Sequence, residues 1–141
     1  MAQDFEGRCW TQEVQWDKQD PAAWGIECLK ADTQAQGLCT EPGKIHTGQN
    51  SGYAAINLAY HLGAKRILLL GYDMKMAGSK RHWFGAHPQG LEVASNYAAF
   101  ASRFQTILPQ KYGIEIWNVT RDTALDCFPL YDLDEVVAAL S

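Results

Sequence analysis

Two histidines, His82 and His87, stand in the segment Arg81-His82-Trp83-Phe84-Gly85-Ala86-His87-Pro88, where two imidazoles share a short stretch with an aromatic pair. Imidazole is the side chain best suited to general acid or base chemistry near neutral pH. The Gly and Pro near this pair do not suit a helical metal pair, and no neighbouring Glu or Cys completes a zinc set, so no metal is expected. Imidazoles bonded to backbone in a folded loop are the structural alternative for both residues. His46 and His61 have weaker claims to chemistry. His61 falls near the end of a predicted helix, where a protonated ring is electrostatically favourable without a catalytic role.

The second chemical feature is Thr47-Gly48-Gln49-Asn50-Ser51-Gly52. Its small residues let backbone N–H groups approach a ligand, and Asn50 or Ser51 can cap a following helix, which makes Gly48, Asn50, Ser51 and Gly52 candidate contacts for an anionic group. The third is Asp73, which follows Ile67-Leu68-Leu69-Leu70-Gly71-Tyr72. In open α/β sheets ligands bind beyond the carboxyl ends of the strands, so a carboxylate there can contact a sugar, a ribose or a metal. A turn or helix-capping role is the alternative.

These residues need elements to hold them. Ala55, Ile56, Leu58, Ala59 and Leu62 follow helical spacing, and Gly63 is the residue type that ends helices in the left-handed conformation. Ile67–Leu70 is a continuous apolar run, as expected of a parallel strand covered on both faces. The periodicity predicts a helix from Leu91 to Lys111, ended or kinked by Pro109, then a strand over Ile114–Val119 parallel to the Leu68 strand, and a closing helix over Asp132–Leu140 with an acidic first turn. Met74–Gly90 reads as a long loop at the ligand-facing edge. Toward the N-terminus, Arg8–Val14 and Trp24–Leu29 are strand candidates joined by a polar stretch, either as a hairpin or as separate neighbours, and Ala31–Gly43 reads as an irregular connection that Cys39 can anchor. The fold class expected is α/β: one domain over residues 1–141, a three-layer Rossmann-like sandwich with a mainly parallel sheet.

With 141 residues, a net charge of −4 and only two adjacent basic pairs, Lys65-Arg66 and Lys80-Arg81, the chain lacks the clustered cations that nucleic-acid binding requires. No apolar run approaches the ~20 residues that span a bilayer. Cys9, Cys28, Cys39 and Cys127 form no CxxC pair, and four free buried thiols together with the absence of a signal-like start predict a cytoplasmic protein.

The ordered motifs TGQNSGYAAINLAYHLGAKRILLLGYDM, HWFGAHP and KYGIEIWNVT resemble the C-terminal half of bacterial sialyltransferases that use a CMP-linked sugar donor, and are similar to small phage-type proteins of unassigned activity. The resemblance covers roughly Gly43 to Leu125. It implies that Ser51 and Gly52 form the helix entry at a cytidine nucleotide, that Asp73 is the strand-end acid, and that His82 and His87 are the two loop histidines, with His87 the better general base. No separate cofactor is implied. The chain departs from the family's pattern by one extra loop residue, by Trp83 where an aromatic hydroxyl is usual, and by the lack of a glycine-rich Asn-Gly-Pro-Ser type turn ahead of Arg8. Measured against the family, the domain is truncated at its N-terminus. The function expected is binding of a cytidine nucleotide or nucleotide sugar on a glycosyltransferase-like fold without the full catalytic apparatus. The alternatives are a small active transferase completed by homo-oligomerisation and a non-catalytic phage or mobile-element interaction protein. Exposed sheet edges and Trp10, Trp16 and Trp24 point to homodimerisation.

Overall fold

A computed structural model describes residues 6–12, 21–76 and 96–140. The chain is mixed α/β, and its contacts group into two units, Met1–Leu62 and Gly63–Ser141, each containing a small parallel sheet.

In the first unit, β1 (Cys9–Gln12), β2 (Ile26–Asp32) and β3 (Lys44–His46) lie in that order, all parallel, with Thr11 opposite Cys28 and Asp32 opposite His46. The first two strands are therefore neighbours and not a hairpin. A parallel pair requires a long crossover, and the connection ends in a short 3₁₀ helix over Pro21–Trp24. The three-residue β3 has no counterpart among the expected strands, because three residues are too few to display a period. Helix α1 (Ser51–His61) turns Tyr53, Ile56 and Asn57 inward. Gly63, with φ +86°, follows its last turn as expected.

Asn57 fixes the irregular connection before β3. Its fully buried amide accepts from the Cys39 N–H at 2.9 Å and the His46 N–H at 2.8 Å, and donates to the Cys39 carbonyl at 3.0 Å. Cys39 does anchor this segment, through its main chain. All four cysteines are free, but only Cys39 is buried and Cys28 is exposed, which corrects the expectation of four buried thiols.

In the second unit β4 (Arg66–Leu69) and β5 (Glu115–Asn118) pair in parallel, Leu68 opposite Trp117. The apolar run is not uniformly covered: Leu69 is buried, while Leu70, beyond the last ladder pair, is 65% exposed. The helical stretch ahead of β5 is broken into α2 (Tyr97–Phe104) and α3 (Pro109–Tyr112). Pro109 begins the second piece and does not end the first, because a missing N–H costs nothing in a first helical turn and its fixed φ suits that position. Phe104, fully buried, meets the rings of Tyr72 and Phe128 edge-on at centroid distances of 5.9 and 6.5 Å. The chain closes with α4 (Leu133–Leu140), capped by Asp132, whose carboxylate accepts from the N–H groups of Asp134 and Glu135.

Among the described residues no helix is long and apolar enough to cross a membrane.

Candidate functional site

Three features converge on the carboxyl edge of the first sheet. The turn from β3 into α1 is built on two consecutive left-handed residues, Gly48 at φ +52° and Gln49 at φ +59°. Gly48 is needed twice over: an added Cβ would lie 2.6 Å from Tyr53 Cδ2, so the Tyr53 ring occupies the space a side chain would take. Asn50 is the residue that caps α1, its Oδ1 accepting from the Tyr53 N–H at 3.2 Å while its own N–H donates to the Thr47 carbonyl at 2.9 Å. Ser51 is the exposed first residue of the helix, and its N–H has no acceptor among the described residues. Gly52 follows within the first turn. The four loop candidates thus share one helix entry.

Two further groups stand at that edge. Asp32, the last residue of β2, accepts at Oδ1 from the N–H groups of Gln34 at 2.8 Å and Ala35 at 2.9 Å. Those two bonds, with a smaller contribution from the nearby His46 charge, hold its carboxyl below the ordinary value. His46, the last residue of β3, is oriented by Nδ1, which lies 2.9 Å from the Gly37 carbonyl that the Tyr53 hydroxyl also contacts at 2.8 Å. Since a carbonyl only accepts, Nδ1 carries the proton in the neutral ring. Asp32 is absent from the expected site residues, although it has the same signature as Asp73, a carboxylate at the end of an apolar-patterned strand. Its signal was obscured because β2 reads only as partial alternation.

An apolar cleft of about 180 Å³ adjoins the helix entry, lined by Trp10, Leu29, Ile45, Ala54, Ala55 and Leu58 with the polar Thr11, Gln12 and Ser51. Pockets for whole drug-sized ligands run from roughly 300 Å³ upward, whereas an apolar cavity of about 150 Å³ takes a benzene ring. Its size fits one ring.

Asp73 lies in the second unit, exposed, just past β4, with its carbonyl accepting from the Ala124 N–H at 2.8 Å. The next residue, Met74, is left-handed at φ +49°. Gln49 and Met74 are the two non-glycine residues with positive φ among the described residues, and each sits in the loop leaving the carboxyl end of a strand. This second edge is held by hydroxyls: Thr120 donates to the Leu69 carbonyl at 3.2 Å and Thr123 to the Tyr72 carbonyl at 2.6 Å. Lys75 pairs with Asp122. A larger hollow of about 360 Å³ lies beside Thr120, Arg121, Tyr131 and Asp132. His82 and His87 lie outside the described residues, as does Trp16. His61 is bound through Nε2 to the Lys44 carbonyl at 2.8 Å, a structural role at the far end of α1. Among the described residues no three His, Cys, Asp or Glu side chains gather as metal ligands.

No protein-family model, curated protein or solved structure matches the chain.

Proposed function

We propose that this protein binds a cytidine nucleotide or nucleotide sugar on a three-layer Rossmann-like, glycosyltransferase-like fold, without the full apparatus for transfer. The observation that carries this reading is the β3–α1 turn, where two left-handed residues bring main chain to a helix start at the carboxyl edge of a parallel sheet. Helix starts favour anions, and strained backbone concentrates at ligand-holding sites. In this reading the phosphate sits at Ser51 and Gly52, Asp32 accepts from a sugar hydroxyl, and the adjoining cleft receives the pyrimidine ring. Asp73, His87 and His82 enter this reading through the resemblance alone. Homo-oligomerisation belongs to the proposal, and sedimentation of the full chain at twice its 15.7 kDa is the expected result.

Thermal denaturation with CMP, CDP, UMP and CMP-sialic acid tests the reading. A ligand at 100 times its Kd stabilises by roughly 2.7 kcal/mol. A cytidine-selective rise in Tm is expected, lost in Ser51→Pro, which removes one N–H at a position where proline is tolerated. No rise with any nucleotide at millimolar concentration refutes it. If the protein also transfers, His87→Ala lowers turnover by roughly 10²–10⁴-fold, the usual contribution of a general base.

A further inference from the structure

The geometry points to a second binding site, for the ring of a neutral sugar, in the hollow of about 360 Å³ at the carboxyl end of β5. The site lies in the second unit, owes nothing to the glycine loop of the first, and is tested separately from the nucleotide reading.

The hollow is a consequence of parallel pairing. Residues 129–131 run beside β5 as a further parallel neighbour: the Asn118 N–H donates to the Pro129 carbonyl at 2.9 Å, the Tyr131 N–H donates to the Asn118 carbonyl at 2.9 Å, and Asn118 bridges Leu130. Both stretches leave the sheet at its carboxyl edge, β5 into Thr120 and Arg121 and its neighbour into Asp132 and Leu133, and residues of both exits line the hollow. That is the position at which open parallel sheets hold ligands. Its wall is fixed in advance. Thr120, 5% exposed, donates from its hydroxyl to the Leu69 carbonyl at 3.2 Å and accepts from the Tyr72 N–H at 3.0 Å, while its own N–H donates to the Asn118 side-chain oxygen at 3.0 Å. A preorganised wall loses little freedom when a ligand binds.

The lining selects the ligand class. Tyr131 stacks on Trp117 with centroids 4.4 Å apart and planes inclined by 29°, and the Arg66 guanidinium lies 3.8 Å from the Trp117 centroid. A ring and a guanidinium that close must take opposite faces of the indole, so Tyr131 is an end member of the stack, 41% exposed and bordering the hollow. A tyrosine held in this way offers broad contact at low entropic cost, and an electron-rich ring face attracts the weakly positive C–H groups of a pyranose. The polar rim carries both hydrogen-bonding senses. Arg121 supplies donors, since its ion-pair partner Asp134 stands at 3.7 Å, beyond hydrogen-bond reach. Asp132 spends Oδ1 on the N–H groups that cap α4, which leaves Oδ2 as an acceptor and takes the helix start out of the site. Sugar hydroxyls donate and accept at once and use both groups. Charge narrows the class further: the Asp132 and Asp134 carboxylates outnumber the one Arg121 guanidinium, so the rim disfavours phosphate and carboxylate groups. The volume is near the lower bound of roughly 300 Å³ for small-molecule sites, which suits a single sugar ring better than a dinucleotide.

Amide NMR of the full chain, titrated with D-galactose, D-glucose and N-acetyl-D-glucosamine and with sialic acid as the charged counterpart, tests the inference. Expected are shifts of the Arg121, Tyr131 and Asp132 amides with at least one neutral sugar at millimolar affinity, and weaker shifts with the acid. Tyr131→Ala should weaken that binding roughly tenfold and Arg121→Ala severalfold. The Arg121 side chain is 82% exposed, so its loss is expected to leave Tm unchanged, and Tyr131→Phe, which keeps the stacked ring, should bind within about twofold of wild type; together they separate a lost contact from a lost fold. No shift of these amides with any of the three neutral sugars at about 50 mM overturns the inference. So does tighter binding of sialic acid than of the neutral sugars, or binding that Tyr131→Ala and Arg121→Ala both leave unchanged. CMP added to the same sample reports separately: shifts at Ser51 and Gly52 without any response to sugar overturn this site and leave the nucleotide reading standing, whereas a sugar response without a CMP response does the reverse.

Discussion

Gly48 is the residue at which backbone and packing requirements coincide. Left-handed φ costs a residue with a Cβ roughly 1–2 kcal/mol, and forcing atoms into filled space typically costs another 1–3 kcal/mol. Gly48→Ala is therefore expected to destabilise by about 2–5 kcal/mol in urea denaturation. Gly63→Ala, where nothing lies within 4 Å of the added Cβ, should show the backbone cost alone. Asp32 gives a pH signature. Its folded carboxyl titrates below the unfolded one, so its stabilisation is present above the ordinary carboxyl value of 3.8 and is lost as pH falls through the lowered folded value. Asp32→Asn should flatten the acid limb of the stability curve, measured by melts between pH 2 and 5, and an unchanged limb would contradict the two N–H bonds drawn to it. Among the thiols, burial pushes Cys127 up to about 11, so in the native protein a thiol reagent at pH 8 should modify exposed Cys28 well before Cys127, as peptide mapping will report. The turn at Gly48 and the helix cap at Asn50 are legible in their residue types. The roles of Asp32 and Asn57 are not, because what distinguishes them is the partner each meets from a distant stretch of chain.

Elements were legible in proportion to their length. α1 shows eleven residues of helical pattern between a capping Asn and a Gly, and it forms within two residues of the expected bounds. β3 has three residues and depends on its neighbours: Lys44 and His46 are held by pairing with β2, and its main chain is bound from α1 through Asn57. The break between α2 and α3 turns on Pro109, whose sequence signal permits either a helix end or a helix start. Asp132 is the clearest capping residue in the second unit, and Asp132→Ala is expected to cost about 1 kcal/mol, with α4 exchanging its amide hydrogens faster while those of β4 and β5 are little changed. A buried amide is more demanding. Asn57→Leu leaves the Cys39 and His46 main-chain groups without partners, and at roughly 1–3 kcal/mol for each buried unsatisfied group the first unit should lose most of its stability.

For the molecule as a whole, charge and composition set the outer bounds. With a net charge of −4, duplex DNA binding at 0.15 M salt should be undetectable at tens of micromolar protein by fluorescence anisotropy, since few phosphates can be neutralised. The sequence by itself determined the α/β class, the parallel pairing of the Leu68 and Trp117 strands, the helix after the glycine loop and the helix at the end, because each rests on periodicity or on a single residue's backbone preference. Only the tertiary structure decided that β1 and β2 run parallel, that β3 exists, that the chain's contacts fall into two units with separate small sheets, and that Asp32 and His46 stand opposite each other beside the glycine loop. Periodicity records which face of a segment is apolar, and a helical crossover between two strands implies a parallel pair, whereas register, the partners of strands without such a crossover and the neighbours of a polar side chain come from segments far apart in the chain, and no local pattern encodes them.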